Sequence, residues 1–388
     1  MTHYRRVGEV PSKRHVRVSA ADGGYLHEEL MGTAGFSGAS SLLYHRHSPS
    51  AIVGAEAVDD DRGAFRLDHP LVPRHLRTTE LPVGGDPVLG RHLLLANADV
   101  AISVVHADRP SGLYRNATGD ELVYVHAGTA TLATSFGPVD LGPGDYVVIP
   151  MSTTHRWRLN TPRLDLLVLE ASGHVAPPAR YLTERGQFRE GAPFCERDLH
   201  GPEAPPEPEQ GPADVLVRHA GGLSRHCHAH HPFDVVGWDG TLYPYRFSIH
   251  DFEPIVGTIH QPPPVHQTFE GPGFVVCSFV PRLFDLHPDA IKVPYHHANV
   301  DSDEVLFYAA GDFMSRAGSG IAAGSISFHP AGFVHGPQPG SLEAAIVRER
   351  TDELAVMVDT FRRLEVAESG RQISAEDYPW TWAEGHVR

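Results

Sequence analysis

The chain is predicted to be mainly β, built as two jelly-roll barrels with a C-terminal helix. Three observations lead there: many turn-forming residues, short apolar runs, and one internal repeat. Among 388 residues there are 38 Gly and 33 Pro, and frequent breakers between short apolar runs describe strands joined by turns.

The repeat sets the architecture. Asn116, four residues, Glu121, six residues and Gly128 match Asn299, Glu304 and Gly311 at the same intervals. A second unit follows each: Gly144, Pro150 and His155 in the first copy, Gly324, Pro330 and His335 in the later one, again with identical spacing. Four agreeing intervals describe one supersecondary unit used twice. The apolar stretches Glu121-Leu-Val-Tyr-Val, Asp145-Tyr-Val-Val-Ile, Glu304-Val-Leu-Phe-Tyr and Ser325-Ile-Ser-Phe suit strands. Gly142-Pro-Gly144 suits a tight turn. Residues 1–200 are therefore expected to form an N-terminal β domain with a degenerate copy of the repeat, and 231–388 a C-terminal catalytic domain. The intervening 201–230 opens with Gly201-Pro-Glu-Ala-Pro-Pro-Glu-Pro-Glu-Gln-Gly-Pro212 and reads as an exposed linker. Residues 352–366, Asp-Glu-Leu-Ala-Val-Met-Val-Asp-Thr-Phe-Arg-Arg-Leu-Glu-Val, carry the amphipathic period expected of the C-terminal helix.

Composition narrows the function. A net charge of −16 argues against nucleic acid or an anionic membrane as partner. No apolar run is long enough to span a bilayer. The N-terminal Met1-Thr-His-Tyr-Arg-Arg has no apolar core behind it, unlike a secretory signal. Three cysteines, Cys195, Cys227 and Cys277, make no disulfide framework, so a reducing cytoplasm is expected. Nucleophile-elbow and phosphate-loop motifs are absent from the sequence.

Most of the 27 His carry no signal without spacing. In the later copy, Tyr295, His297 and Asn299 alternate and share one strand face. The turn through Asp301-Ser-Asp303 returns Glu304 on the neighbouring strand, and His335 enters from the second hairpin. Two imidazoles and one carboxylate on one barrel face form the triad that leaves open positions on non-haem Fe(II). A hydrogen-bonded polar core, or a zinc or manganese site, would use the same residues. In the first copy Tyr114 stands where His297 stands, so Glu121 and His155 read as a retained structural pair in a scaffold barrel. The run His226-Cys-His-Ala-His-His231 matches no closed zinc spacing and reads as an exposed histidine-rich loop.

The paired motifs resemble those of the cupin superfamily, which makes the protein look like a bicupin. A closer resemblance, covering most of the chain, is to the homogentisate 1,2-dioxygenase family. It is carried by His231-Pro-Phe-Asp-Val-Val-Gly-Trp-Asp-Gly-Thr-Leu-Tyr-Pro-Tyr245, Phe279-Val-Pro-Arg282, Pro294-Tyr-His-His-Ala-Asn299 and His329-Pro-Ala-Gly-Phe-Val-His335-Gly-Pro337. The resemblance implies an Fe(II) enzyme that opens homogentisate to maleylacetoacetate with O₂, in tyrosine and phenylalanine breakdown. By position it implies His297, Glu304 and His335 as iron ligands, and His260 as the base that assists the substrate hydroxyl. Tyr295 and His329 fall at substrate-binding positions, with His335 beside the same substrate. A trimer-based homo-oligomer is implied as well. The sequence departs from the family in a longer interval between His297 and Glu304, and in Phe313 where a substrate-contacting tyrosine is usual.

A phenol with a pKa near 10 must lose its proton to donate electrons, and a neutral imidazole can accept it near neutral pH. His260 fits that role, with His266 and His296 as rivals. Competing functions are ring cleavage of gentisate or hydroquinone with the same iron, a sugar-phosphate isomerase, or a non-catalytic metal-binding bicupin. The isomerase needs a basic phosphate cluster, and the second repeat has none.

Overall fold

The computed structural model describes residues 3–12, 18–21, 23, 26–32, 40–48, 52–58, 65–66, 70–259, 261, 263–288, 290, 292–293 and 297–382. These residues are mainly β, and their α-helices are two single turns, Ser341–Ala345 and Glu368–Gln372. The chain divides into two compact units, the first of residues 1–61, 83–91 and 105–248, the second of 62–82, 92–104 and 249–388. The division thus falls later than residue 231, and the second unit draws two segments from the N-terminal part of the sequence.

In the first unit, strand Glu121–Ala127 lies between Asp145–Ile149 and Leu164–Ala171, antiparallel to both. Tyr245–Ser248 pairs with the outer side of Asp145–Ile149. A second sheet runs Gly137–Leu141, Ala130–Thr134, His155–Leu159, Leu113–Asn116, Ala213–His219, Gly222–His228 and Ile52–Val58. Val123, Val125, Leu132, Val147, Trp157 and Val168 pack into one core, as expected when one face of each pleated strand is apolar. Residues 213–228 of the expected linker are not a linker but a hairpin in this sheet.

The second unit repeats the arrangement. Asp303–Ala310 lies between Ser325–His329 and Leu354–Thr360, in a six-stranded sheet whose edges are Gln267–Gly271 and Arg74–Arg77. The register makes the repeat physical. Glu121 lies opposite Ile149 and Glu170, and Glu304 lies opposite His329 and Asp359. All four glycines of the repeat, Gly128, Gly144, Gly311 and Gly324, take positive φ of 82° to 91°, where a Cβ is strained. At Gly311 a Cβ would also lie 1.9 Å from the Asp352 carbonyl oxygen.

The helix expected over 352–366 is corrected by this sheet: Leu354–Thr360 is a strand, and Glu365–Ala367 another. Leu354 through Val358 are buried at every position. A strand covered on both faces shows no alternation, and its continuous apolar run can be mistaken for a helix face. The only helix near that point is the five-residue Glu368–Gln372.

In the first unit, His45 is 2% exposed and sits between two acids, with Nδ1 2.8 Å from Asp234 and Nε2 2.7 Å from Glu29. Burial alone would lower its pKa, but hydrogen bonds to Asp234 and Glu29 outweigh that and raise it to about 9. A raised histidine stabilises fully below its unfolded pKa and loses that contribution as pH climbs through the folded value. Thermal melts from pH 6.5 to 9.5 should therefore show a stability loss of about 3 kcal/mol that is absent from His45→Gln. Parallel pH curves for the two proteins would refute a charged His45.

Candidate metal centre

His297 and His335 form an antiparallel bridge, each backbone N–H donating to the other's carbonyl at 2.8 and 2.9 Å. Strand Asp303–Ala310 sets Glu304 beside them. His335 Nε2 lies 3.2 Å from Glu304 Oε1, and His297 Nε2 lies 3.7 Å from Oε2. One ligand-type atom from each of the three lies within 4.8 Å of the others, the one such constellation among the described residues. The side chains of His335 and Glu304 are 1% and 8% exposed, whereas that of His297 is 28% exposed, so access is from the His297 side.

The loops around the centre are tied down. Ala331 N–H donates to Asp303 Oδ1 at 2.8 Å, and Leu364 N–H donates to Oδ2 at 2.7 Å. Phe333 carbonyl accepts from His335 Nδ1 at 3.1 Å. That bond makes Nδ1 the protonated nitrogen and turns the Nε2 lone pair toward Glu304.

His329 is fully buried, with Nδ1 2.8 Å from Glu304 Oε1 and Nε2 3.0 Å from Tyr378 Oη. Burial, then His335 and Arg316, pull its pKa down to about 3, so the ring is neutral. An ionised carboxylate only accepts. Nδ1–H therefore donates to Glu304, and Nε2 accepts from the Tyr378 hydroxyl. Both nitrogens are engaged, which leaves His329 no free polar atom for the substrate contact expected of it. For Glu304 burial works upward, but the imidazoles of His297, His329 and His335 gathered around it hold it well below the usual carboxylate range.

The two copies of the repeat differ most where charge is concerned. In the first unit the Arg91 guanidinium donates to Glu121 at 3.0 and 2.8 Å and reaches Glu170 at 3.3 Å. Tyr114 Oη, in the position of His297, donates to Glu121 Oε1 at 3.0 Å. The acids Glu121 and Glu170 thus share a built-in cation. Their counterparts Glu304 and Asp359 have no Lys or Arg within ion-pair distance among the described residues. Burial and then the Glu304 carboxylate push Asp359 up to about 8. One buried carboxylate, two imidazole nitrogens and no resident cation make a donor set that fits a divalent metal, with the half-buried Asp359 on the neighbouring strand.

Sequence reasoning missed Tyr378, Asp359 and Trp382. Asp359 was hidden inside the supposed helix, although Glu170 marks the same place in the first copy. Trp382 packs edge-on against Tyr378 at 5.2 Å and donates to the Gly336 carbonyl at 2.9 Å; no spacing in the sequence links either ring to the repeat. Phe313 packs edge-on against Tyr308 at 5.0 Å in an apolar cluster. His266 is buried against Phe279. Among the described residues the histidine run at 226–231 takes part in no metal constellation. His260, Tyr295 and His296 lie outside the described residues. Among the described residues no helix is long and apolar enough to cross a membrane.

Residues 89–249 match the family model for the homogentisate 1,2-dioxygenase N-terminal region. A protein of Saccharolobus solfataricus described as a candidate dioxygenase is 39% identical over 98% of this chain and 99% of its own length. The homogentisate 1,2-dioxygenase of Bradyrhizobium diazoefficiens is 28% identical over 60% of this chain, and the match spans 52% of that enzyme. Among solved structures, a cupin 2 conserved barrel domain protein from Leptotrichia buccalis is similar over 76% of this chain and 100% of its own, at 9% identity and a TM-score of 0.37. With a relative of such identity aligned end to end, and the N-terminal model matched, the chain belongs to the homogentisate dioxygenase family.

Proposed function

We propose that this protein is an Fe(II)-dependent ring-cleaving dioxygenase that opens homogentisate to maleylacetoacetate with O₂. The observation that carries the proposal is the contrast between the repeats: Arg91, with Arg218 beside Glu170, neutralises the acids of the first, while His297, Glu304 and His335 converge in the second without an arginine. Held by these three side chains, Fe(II) would supply adjacent open positions for the substrate oxygen and dioxygen.

The chain's own residues prepare that chemistry. His335 offers Nε2 because its other nitrogen is bound to the Phe333 carbonyl. His329 and Tyr378 hold Oε1 of Glu304 from behind, so the carboxylate keeps one orientation. His260 would take the proton of the substrate phenol, which is otherwise retained at neutral pH. Tyr295 would hold the substrate carboxylate. A cytoplasmic, trimer-based assembly is part of the same proposal.

The test adds Fe(II) under nitrogen, admits oxygen, and follows homogentisate, gentisate and hydroquinone by absorbance and product mass. Homogentisate is expected to turn over best. If it is inert while another substrate opens, the substrate assignment falls and ring cleavage stands; if none opens, the dioxygenase proposal falls.

The relay predicts a graded effect. His329→Phe removes the bond that orients Glu304 while keeping an aromatic ring in the core. Loss of such a supporting bond typically weakens metal binding about 10–100-fold. Competition with a chromophoric chelator should show that loss, with Tyr378→Phe retaining more affinity than His329→Phe because its effect passes through the intact imidazole. Unchanged affinity in His329→Phe would remove the relay from the account.

A further inference from the structure

The first unit holds a small, partly open cleft lined by polar side chains. Arg115 lines it, and its guanidinium donates through Nε and Nη2 to one neutral atom, Thr154 Oγ1, at 3.0 and 2.7 Å. Among the described residues no carboxylate lies within ion-pair distance of it. The chain has 48 acids against 32 Lys and Arg, so the lack of an acid partner does not reflect a shortage of acids.

A second unmet group faces the same cleft. His228 is 5% exposed, lines the cleft, and its buried Nε2 has no hydrogen-bond partner. A buried polar atom left unsatisfied costs stability and calls for a ligand, ion or water to meet it. Strand Gly222–His228 lies two places from Leu113–Asn116 in the same sheet, with Ala213–His219 between them. The backbone adds a third sign. Ser152, also on the wall, is the only non-glycine residue of positive φ among the described residues, at 67°, and such strain clusters at ligand sites.

The acids on the wall are already satisfied. Glu29 and Asp234 both bond to His45, and Asp234 also accepts from the His47 N–H at 2.8 Å. His45, with its pKa raised, carries one positive charge between the two, and the Arg115 guanidinium acts on Glu29 from farther off. What the cleft offers a ligand is a guanidinium hydrogen-bonded only to a neutral hydroxyl, one unmet imidazole nitrogen and the hydroxyls of Ser135 and Ser152.

We propose that this cleft binds a small oxyanion, a carboxylate or phosphate group, with Arg115 as its counter-charge and His228 and the serine hydroxyls as further hydrogen-bond partners. A planar guanidinium suits either oxyanion because its N–H groups can meet two oxygens at once. The site is independent of the metal centre and of the proposed reaction.

Isothermal titration of the full chain with sodium phosphate and with sodium acetate, in low-chloride buffer, tests this. One saturable site is expected for at least one anion, and the stronger binder identifies the group the cleft takes. Arg115→Met and His228→Phe should each weaken that binding about ten- to a hundredfold. Glu304→Gln should leave it unchanged. Thermal melts establish that the variants fold; if Arg115→Met does not, His228→Phe gives the same reading. No saturable binding of either anion by the wild type, or binding that persists in a folded Arg115→Met or His228→Phe, overturns the proposal.

Discussion

Glu304→Ala is expected to lose bound metal and ring-cleaving activity together, while the second unit remains folded. Glu304 is the sole anion of the His297–Glu304–His335 set. Without it two neutral imidazoles face the ion, and three protein ligands are the usual minimum for a catalytic centre. Elemental analysis should fall from about one ion per wild-type chain to less than about a tenth in the variant. Glu304→Gln separates charge from shape, since it keeps the volume and can still accept from His329. Both variants should behave alike in metal content, because charge is what the ion reads. Circular dichroism should stay near wild type, as the sheet is held by the core of Cys277, Leu306, Tyr308, Ala355 and Met357. Stoichiometric metal with full activity in Glu304→Ala would show that another acid, Asp359 first, serves as the ligand.

Arg91→Met is expected to be the most destabilising single change in the first unit. The guanidinium is buried, and burial works against its charge, yet Glu121 and Glu170 raise its pKa further still. In return Arg91 holds Glu121 down at about 2 against the upward push of burial. Removing one partner of a buried ion pair leaves an uncompensated charge and typically costs about 3–5 kcal/mol. For a unit of this size that lowers Tm by roughly 6–20 °C. The cost should be relieved by charge rather than by packing. Arg91→Met with Glu121→Gln should recover part of the loss, and added Zn²⁺ or Mn²⁺ should stabilise the single variant more than the wild type. His155 Nε2, buried without a partner, is the nitrogen such an ion would find. A melting temperature within about 2 °C of wild type would mean that the trio contributes nothing net.

The sequence by itself determined the repeat, and with it the strands, turns and glycines that recur in both units. It also determined the candidates His297, Glu304 and His335, because a hairpin is local and its spacing puts side chains on a known face. Their convergence needed only that each copy fold as the other does. Interval counting does not reach pairings between distant segments. Arg91 meets Glu121 and Glu170 across 30 and 79 positions, and His329 meets Tyr378 across 49; no periodicity links such positions. The lender of Arg74–Arg77 to the second unit's sheet is likewise a far segment. The strand at Leu354–Thr360 was misread because a central strand, covered on both faces, has no alternation to reveal it. Tertiary structure alone therefore decided that the first copy carries its own cation and that the acids of the second have none within ion-pair distance among the described residues. Charge compensation depends on three-dimensional proximity, and proximity across a sheet is set by register rather than by separation along the chain.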